Sequence, residues 1–191
     1  GLGTAADSLS AVKKHVYETK RYTLAELAAA MQADFKGYDM MRTVLDRTTP
    51  CYGNDLPEAD DIAQRIFNTY GKLVADLNDG SFAGKFVTVL FSYTTQVFSG
   101  EITPATANGR KRGQPFSDAI GPSQGKDVRG PTKLMNSVLK LDNTGLNGGF
   151  ALNLKMTPGL LKGKPGTDAL RGLVSGYLQS GGAQVQFNIV D

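Results

Sequence analysis

Amide side chains recur on one face of two predicted strands near the end of the chain. Residues 150–156 alternate between apolar and other side chains, and Asn153 belongs to the second set. Residues 183–190 alternate in the same way and place Gln186 and Asn188 opposite their apolar face. Amides on an inward face could hydrogen-bond a small polar substrate without adding charge. Alternatively, they lie at the surface or satisfy nearby backbone groups.

Two threonines and a basic cluster open the glycine- and proline-rich stretch that runs from residue 99 to residue 142. Thr103 and Thr106 stand at its start, the position at which α/β proteins commonly present site residues. Their hydroxyls could equally form hydrogen bonds with backbone groups of their own turn. The basic cluster at 109–113 could bind phosphate or nucleic acid. It lacks interleaved aromatic residues and a Walker pattern, which favours a solvated or internally paired basic turn.

The residue types most often used as nucleophiles, bases and metal ligands are scarce. The single histidine, His15, cannot form a metal site or a triad alone, and its helical context predicts a position on the helix surface. The single cysteine, Cys51, excludes an internal disulfide and a multi-cysteine metal site. Asp60 and Asp61 are adjacent, point apart on a helix, and indicate an acidic first turn that favours the helix dipole. We expect no metal site.

Apolar spacing predicts several amphipathic helices and three strands. The helices are expected over residues 5–20, 23–35, 57–77, 131–141 and 167–180, with a short one around 38–45 and a helical turn at 92–98. Thr23 and Glu26 form a predicted capping box. Residues 86–91 are β-branched and aromatic, which predicts a buried strand. The late order of strand, helix and strand predicts a βαβ unit with a parallel sheet covered by helices, and hence an α/β or α+β fold.

Composition describes an ordinary soluble globular chain. It has 191 residues, is 40% hydrophobic and 20% charged, and carries a net charge of +3. That charge is too small to indicate nucleic acid or membrane binding, and no apolar run is long enough to predict a membrane span. We therefore expect that the chain binds neither nucleic acid nor a membrane, and that its location is cytoplasmic. The long stretch at 99–142 contains many glycines and prolines, and we expect the elements on both sides to pack around it.

Several ordered motifs resemble glycyl radical enzymes. They are GLGTAADSL at 1–9, YGND at 52–55, GRKRGQPFSDAIGPSQGKDVRGPT at 109–132, NSVLKLD at 136–142 and QFNIVD at 186–191. The resemblance implies an α/β fold that is part of a ten-stranded α/β barrel with its helices packed outside. It also implies that residues 1–191 are the C-terminal barrel portion, without the family's Cys-Val-Glu segment or its Arg-Val-Ala-Gly-Tyr radical segment. Cys51 stands in a different context from the family's catalytic cysteine, so we expect no catalytic residue here.

The resemblance implies a fragment or split subunit of a lyase or dehydratase that cleaves a small polar substrate after hydrogen abstraction by a thiyl radical. No cofactor is expected on the chain itself. In the full-length enzyme, a separate S-adenosylmethionine iron–sulfur activating enzyme would install the glycyl radical. The other implied partners are the missing half of the barrel or a homodimer partner. The chain alone is predicted to be inactive, and the alternative is a non-catalytic remnant or docking subunit that supplies scaffold only.

Overall fold

The computed structural model describes residues 1–81, 83–142 and 148–190, so Asp191 of the last family motif lies outside the described residues. The N-terminal part is helical: α1 (Leu2–Val12) continues as a π-helical segment (Lys13–Glu18), followed by α2 (Leu24–Gln32), α3 (Asp39–Thr48) and α4 (Pro57–Asp76). The C-terminal part contains α5 (Thr95–Ile102), α6 (Pro131–Leu139), β1 (Asn153–Met156), a 3-10 helix (Pro158–Leu161), α7 (Gly163–Gln179) and β2 (Gln186–Ile189).

Local sequence signals explain where the helices begin. The Thr23 hydroxyl accepts a hydrogen bond from the Glu26 amide at 3.1 Å, and the Glu26 carboxylate accepts one from the Thr23 amide at 2.7 Å. This confirms the predicted capping box, which satisfies two amides that the first turn leaves unpaired. Pro57 and Pro131 open α4 and α6, where a proline costs no hydrogen bond. No helix of the described ranges is both long and apolar enough to cross a membrane.

The two late strands pair in parallel, with α7 between them in the chain. Asn153 lies opposite Gln186, and Met156 lies opposite Ile189. The predicted βαβ unit is therefore confirmed. On the apolar face of β1, Leu154 is buried, as is Leu152 just before the strand, and both belong to the main core cluster. Burial of this face against the helices leaves the amide-bearing face of the sheet turned away from that core.

The prediction of a buried strand at 86–91 is wrong. Among the described residues, the segment forms a single parallel bridge, between Leu90 and Phe150. Four of its apolar side chains are 41% to 46% exposed: Phe86, Val87, Val89 and Phe91. The residues just before β1 are its neighbour on one side, and no described strand pairs with its other side. A β-branched, aromatic run therefore lies at a sheet edge, because propensity does not determine whether an outer neighbour is present.

The long stretch at 99–142 packs into the molecule as expected. Its first residues complete α5, and α6 begins at Pro131; between Ile102 and Pro131 no helix or strand forms. Ala105 and Ala107 complete a second core cluster with side chains of α1, α2 and α3. Ile120 belongs to the main cluster beside Tyr52. The loop is therefore a structural layer between helices, which makes it a rigid support for nearby polar groups.

Candidate functional site

The three predicted strand amides lie on one face of the sheet. Asn153 and Gln186 are register partners on neighbouring strands, and Asn188 lies two residues along from Gln186. The Gln186 side-chain amide donates a hydrogen bond to the Asn188 side-chain oxygen at 3.1 Å. The structure therefore brings these three residues together. Their face offers several neutral donors and acceptors beside one cation, Lys155, which is the register partner of Asn188.

A carboxylate that sequence reasoning did not single out joins this amide face. The Asn153 side-chain amide donates a hydrogen bond to Asp118 Oδ2 at 2.7 Å. The loop that carries Asp118 is held in place because the Ile120 amide donates to the Ala151 carbonyl and the Ala119 amide donates to the Ser92 hydroxyl. Only the tertiary structure reveals this pairing, because the two residues are 35 positions apart. The sequence by itself shows only that Asp118 belongs to the motif at 109–132.

The acceptor atom of Asn153 is buried without a partner. Its Oδ1 atom has no hydrogen-bond partner among the described residues, although the same side chain donates to Asp118. A buried amide oxygen without a partner loses its hydration without compensation. The amide face therefore contains one buried acceptor whose hydrogen-bonding capacity is unused among the described residues.

The two predicted threonines belong to a different arrangement. The Thr106 hydroxyl donates to Asn108 Oδ1 at 2.7 Å and accepts from Arg110 Nε at 3.3 Å. The Thr103 backbone carbonyl accepts from Arg110 at 3.1 Å. No hydrogen bond of the described residues links either threonine to the strand amides. In this structure the Thr106 hydroxyl acts within its own turn, as the second interpretation of the sequence expects.

Arg110 organises the loop that contains these threonines. Its guanidinium donates to the carbonyls of Gly100, Lys111 and Gln114, and to those of Thr103 and Pro104. The carbonyls of Gly100 and Thr103 belong to the C-terminal end of α5, where a positive charge is favourable. The side chain is buried and lies over the Phe116 ring at 4.4 Å. The interpretation of an internally bound basic turn is thus confirmed for Arg110.

The lone cysteine has the properties of a structural thiol. Cys51 is buried, and its thiol donates a hydrogen bond to the Thr49 carbonyl at 3.3 Å. Burial, with a smaller effect of Asp7, raises the pKa of the Cys51 thiol to about 12. The thiolate is the reactive form of cysteine, so a thiol with this pKa stays protonated and unreactive near neutral pH.

The prediction that His15 lies on the helix surface is wrong. His15 is only 2% exposed and lies in the π-helical segment, where its Nε2 atom shares a hydrogen bond of 3.1 Å with the Thr49 hydroxyl. The wider π-helical turn changes which side chains face inward relative to a regular α-helix. Burial lowers the pKa of His15, and the nearby cations Lys14 and Arg21 lower it further.

The motif at 52–55 connects distant parts of the chain. The Tyr52 amide donates to Asp7 Oδ1 of α1 at 2.8 Å, and its hydroxyl donates to the Ile120 carbonyl at 3.1 Å. Asn54 accepts from the Arg129 amide at 3.1 Å. Gly53 has φ +94°, and any Cβ there would overlap the Pro122 ring. The motif therefore fixes α1 against the long loop, and glycine is required for both its conformation and its close approach.

One aspartate just before α4 and one in its first turn share Lys140, the residue that follows α6. Lys140 Nζ lies 2.6 Å from Asp55 Oδ1 and 2.8 Å from Asp60 Oδ2. The hydrogen bonds from Lys140 and Lys133 hold the pKa of Asp55 well below its usual range. Burial instead raises the pKa of Asp60, whose side chain is fully buried. Asp61 is exposed, so the adjacent aspartates do point apart, and Asp60 is buried within the predicted acidic first turn of α4.

Comparison with known proteins identifies the family. Residues 1–100, more than half of the chain, match a family model described as pyruvate formate lyase-like, and residues 116–191 match one described as glycine radical. This chain belongs to the glycyl radical enzymes. The predicted family is confirmed. The glycine radical match includes Asp118 and both strands of the amide face.

Relatives of this glycyl radical enzyme chain act on several substrates. It is 36% identical over 191 residues to trans-4-hydroxy-L-proline dehydratase of Clostridioides difficile and 39% identical over 201 residues to isethionate sulfite-lyase of Desulfovibrio desulfuricans. It covers 24% and 23% of those two proteins. The chain therefore spans about a quarter of the length of the curated relatives it matches.

Solved structures agree with the family assignment. The glycerol-bound B12-independent glycerol dehydratase of Clostridium butyricum matches all of this chain with a TM-score of 0.93 and 37% identity, over 24% of its own length. The hydroxyproline dehydratase of Clostridioides difficile matches with a TM-score of 0.94 and 35% identity. The mixed α/β fold is therefore shared with these enzymes, while the complete ten-stranded barrel stays a prediction. Within the described ranges, no group of three or more His, Cys, Asp or Glu residues could hold a metal ion.

Proposed function

We propose that this chain forms part of the barrel wall of a glycyl radical lyase or dehydratase and turns its amide face towards a small polar substrate. The observation that carries the proposal is the two-sided parallel sheet. Leu152 and Leu154 bury one side in the core, while Asn153, Gln186 and Asn188 share the other. In a barrel, one face of each strand points into the lumen. A lumen wall rich in amide groups suits substrates that carry hydroxyl groups.

The chemistry of this face favours a substrate with hydrogen-bond donors. Asn153 Oδ1 is a buried acceptor without a partner among the described residues, and the Asp118 carboxylate lies 2.7 Å from the amide of the same side chain. A hydroxyl or ammonium group could satisfy both acceptors. The relatives are named for the dehydration of trans-4-hydroxy-L-proline and the cleavage of isethionate, and one solved relative holds glycerol. We extend this substrate class, small and hydroxylated, to the enzyme that contains this chain.

We assign the two radical-bearing residues to other parts of that enzyme. The printed sequence contains neither a Cys-Val-Glu nor an Arg-Val-Ala-Gly-Tyr segment, and Cys51 is a buried thiol with a raised pKa. In such an enzyme, a glycyl radical installed by an S-adenosylmethionine iron–sulfur activating enzyme supplies the abstraction of a substrate hydrogen through a cysteine thiyl. The residues of this chain would orient the substrate and exclude water. Alone, the chain is expected to be inactive.

Exposed apolar surface is consistent with a second candidate function, a docking subunit without a catalytic role. The edge segment at 86–91 and a groove between α1 and α4 both expose large apolar side chains, among them Phe86, Leu9 and Leu73. Surfaces of this kind mark sites of contact with further protein. Both candidate functions require the missing barrel half or a second subunit. They differ in whether the amide face contacts the substrate, so variants of the amide face discriminate between them.

A chimera tests the proposal. Residues 1–191 would replace the matching stretch of the Clostridioides difficile hydroxyproline dehydratase, followed by anaerobic activation. Because each amide contributes at most a few hydrogen bonds to the substrate, N153A or Q186A should lower kcat/KM by about tenfold or more while the electron paramagnetic resonance signal of the radical persists. Asn68, exposed on α4, provides the control N68A, which should leave kcat/KM unchanged.

Two outcomes would argue against this assignment. Unchanged turnover in both amide variants, with the radical signal intact, would support the scaffold-only alternative. A glycyl radical signal from the isolated chain after exposure to an activating enzyme would show that it carries its own radical residue. We expect no signal from the isolated chain.

A further inference from the structure

A small cavity lined mainly by polar and charged residues lies between α3, the N-terminal end of α1 and the long loop. Its volume is about 150 Å³, and its lining includes Arg42, Arg110, Lys126, Asp46 and Asn108. None of the three strand amides is among the lining residues. A single water needs only about 10–15 Å³ of such space, so the cavity has room for one small polyatomic ion.

The charges around this cavity do not balance. Lys126 Nζ lies 2.6 Å from Asp46 Oδ1, so this pair is internally neutralised. Arg42 and Arg110 form no salt bridge with any carboxylate of the described residues. The lining therefore has a surplus of two positive charges, one of which, on Arg110, is buried. A buried charge without a counter-ion is unfavourable unless hydrogen bonds or a bound ion compensate it.

The hydrogen-bond donors differ between the two arginines. Arg110 directs its N–H groups at loop carbonyls and at the Thr106 hydroxyl, so it contributes charge to the cavity but no free donor. Arg42 donates through Nε to the Gly109 carbonyl at 3.0 Å, and its two terminal nitrogens have no partner among the described residues. Asn108 accepts through Oδ1 from Thr106 and from the Arg110 amide, which leaves its Nδ2 amide available.

We propose that this cavity binds one small tetrahedral oxyanion, such as phosphate or sulfate. The terminal nitrogens of Arg42 and the Asn108 amide donate hydrogen bonds to it, and Arg110 contributes a positive charge from the wall that no carboxylate of the described residues pairs. Charge-assisted bonds from a planar guanidinium suit tetrahedral oxyanions. The sequence allows a phosphate site in the basic cluster at 109–113 but favours a basic turn there, whereas the structure assigns the donor role to Arg42 of α3. The site does not depend on the proposed barrel function.

Isothermal titration of the 191-residue chain with sodium sulfate and with sodium phosphate, at constant ionic strength set by sodium chloride, tests the site. Calorimetry is preferable to a thermal shift because sulfate stabilises most proteins through exclusion from their surfaces. We expect saturable binding of one ion per chain. R42Q should weaken it by about tenfold or more, since a charge-assisted hydrogen bond is lost. Phenyl phosphate, titrated in parallel, distinguishes a site for the free ion from one that also accepts an esterified phosphate.

Two further variants make the test decisive. Asp46 is exposed and competes for Lys126, so D46N should tighten binding, a gain that misfolding cannot produce. Arg65 is exposed on α4 and does not line the cavity, so R65Q is the matched charge control and should bind like the parent chain. Circular dichroism confirms that each variant is folded. Absence of saturable binding to the parent chain, or equal affinities of parent, R42Q and D46N, would overturn the proposal.

Discussion

Replacement of Asp7 by Asn should remove a pH dependence from the stability of the chain. Asp7 is fully buried on α1, where Oδ1 accepts from the Tyr52 amide and Oδ2 accepts from the Ser123 hydroxyl. Burial raises the pKa of its carboxyl from 3.8 to about 7, against the opposing effects of Ser123, Tyr52 and Lys126. Between pH 3.8 and about 7, the Asp7 carboxyl is therefore protonated in the folded chain and ionised in the unfolded chain.

The sign and the magnitude follow from linkage. A carboxyl whose pKa is higher in the folded state favours folding below its unfolded pKa, and this advantage is lost as the pH rises towards the folded pKa. Each pH unit corresponds to about 1.4 kcal/mol, so between 3.8 and about 7 the Asp7 contribution falls by about 4 kcal/mol and then stays constant. The amide introduced by D7N would keep the acceptor for the Tyr52 amide and would not ionise.

Urea denaturation followed by circular dichroism measures the effect. The free energy of unfolding of D7N minus that of the parent chain should rise by up to about 4 kcal/mol between about pH 4 and about pH 8. Other titrating groups, including Asp60, are present in both chains and largely cancel in the difference. A difference that stays the same across this range would refute the argument that Asp7 is protonated in the folded chain at acidic pH.

Three further outcomes are expected. Gly100→Ala should lower the free energy of unfolding by about 2 kcal/mol or more because its Cβ would overlap a loop carbonyl. Gly71→Ala lies in open space within α4 and should instead raise it by about 0.5–1 kcal/mol in the same urea assay. Lys140→Met should cost about 3–5 kcal/mol because it leaves a buried aspartate uncompensated, while Lys164→Met, which breaks an exposed pair, should cost less than about 1 kcal/mol. The Cys51 thiol should resist iodoacetamide near pH 8 in the folded chain and react quickly in denaturant; rapid alkylation of the folded chain would contradict its burial.

Much of the fold could be predicted from the sequence because its signals are local. The Thr23–Glu26 capping box, the prolines that open α4 and α6, and the alternation along β1 and β2 each involve residues a few positions apart. The three strand amides follow from the same alternation. The 86–91 segment shows the limit of such reasoning, since β propensity identifies extended backbone but not a covering neighbour.

The sequence alone determined the family, through the order of several motifs, and the order and type of most helices and strands. The tertiary structure decided which polar groups are buried and what they contact. It placed His15 in the interior, directed the Arg110 guanidinium at the carbonyls of its own loop, and joined Asn153 to Asp118. The physical reason is distance along the chain: helix capping and strand alternation act over a few residues, whereas the contact of Asp7 with Ser123 spans 116 positions. No local pattern encodes a contact of that kind.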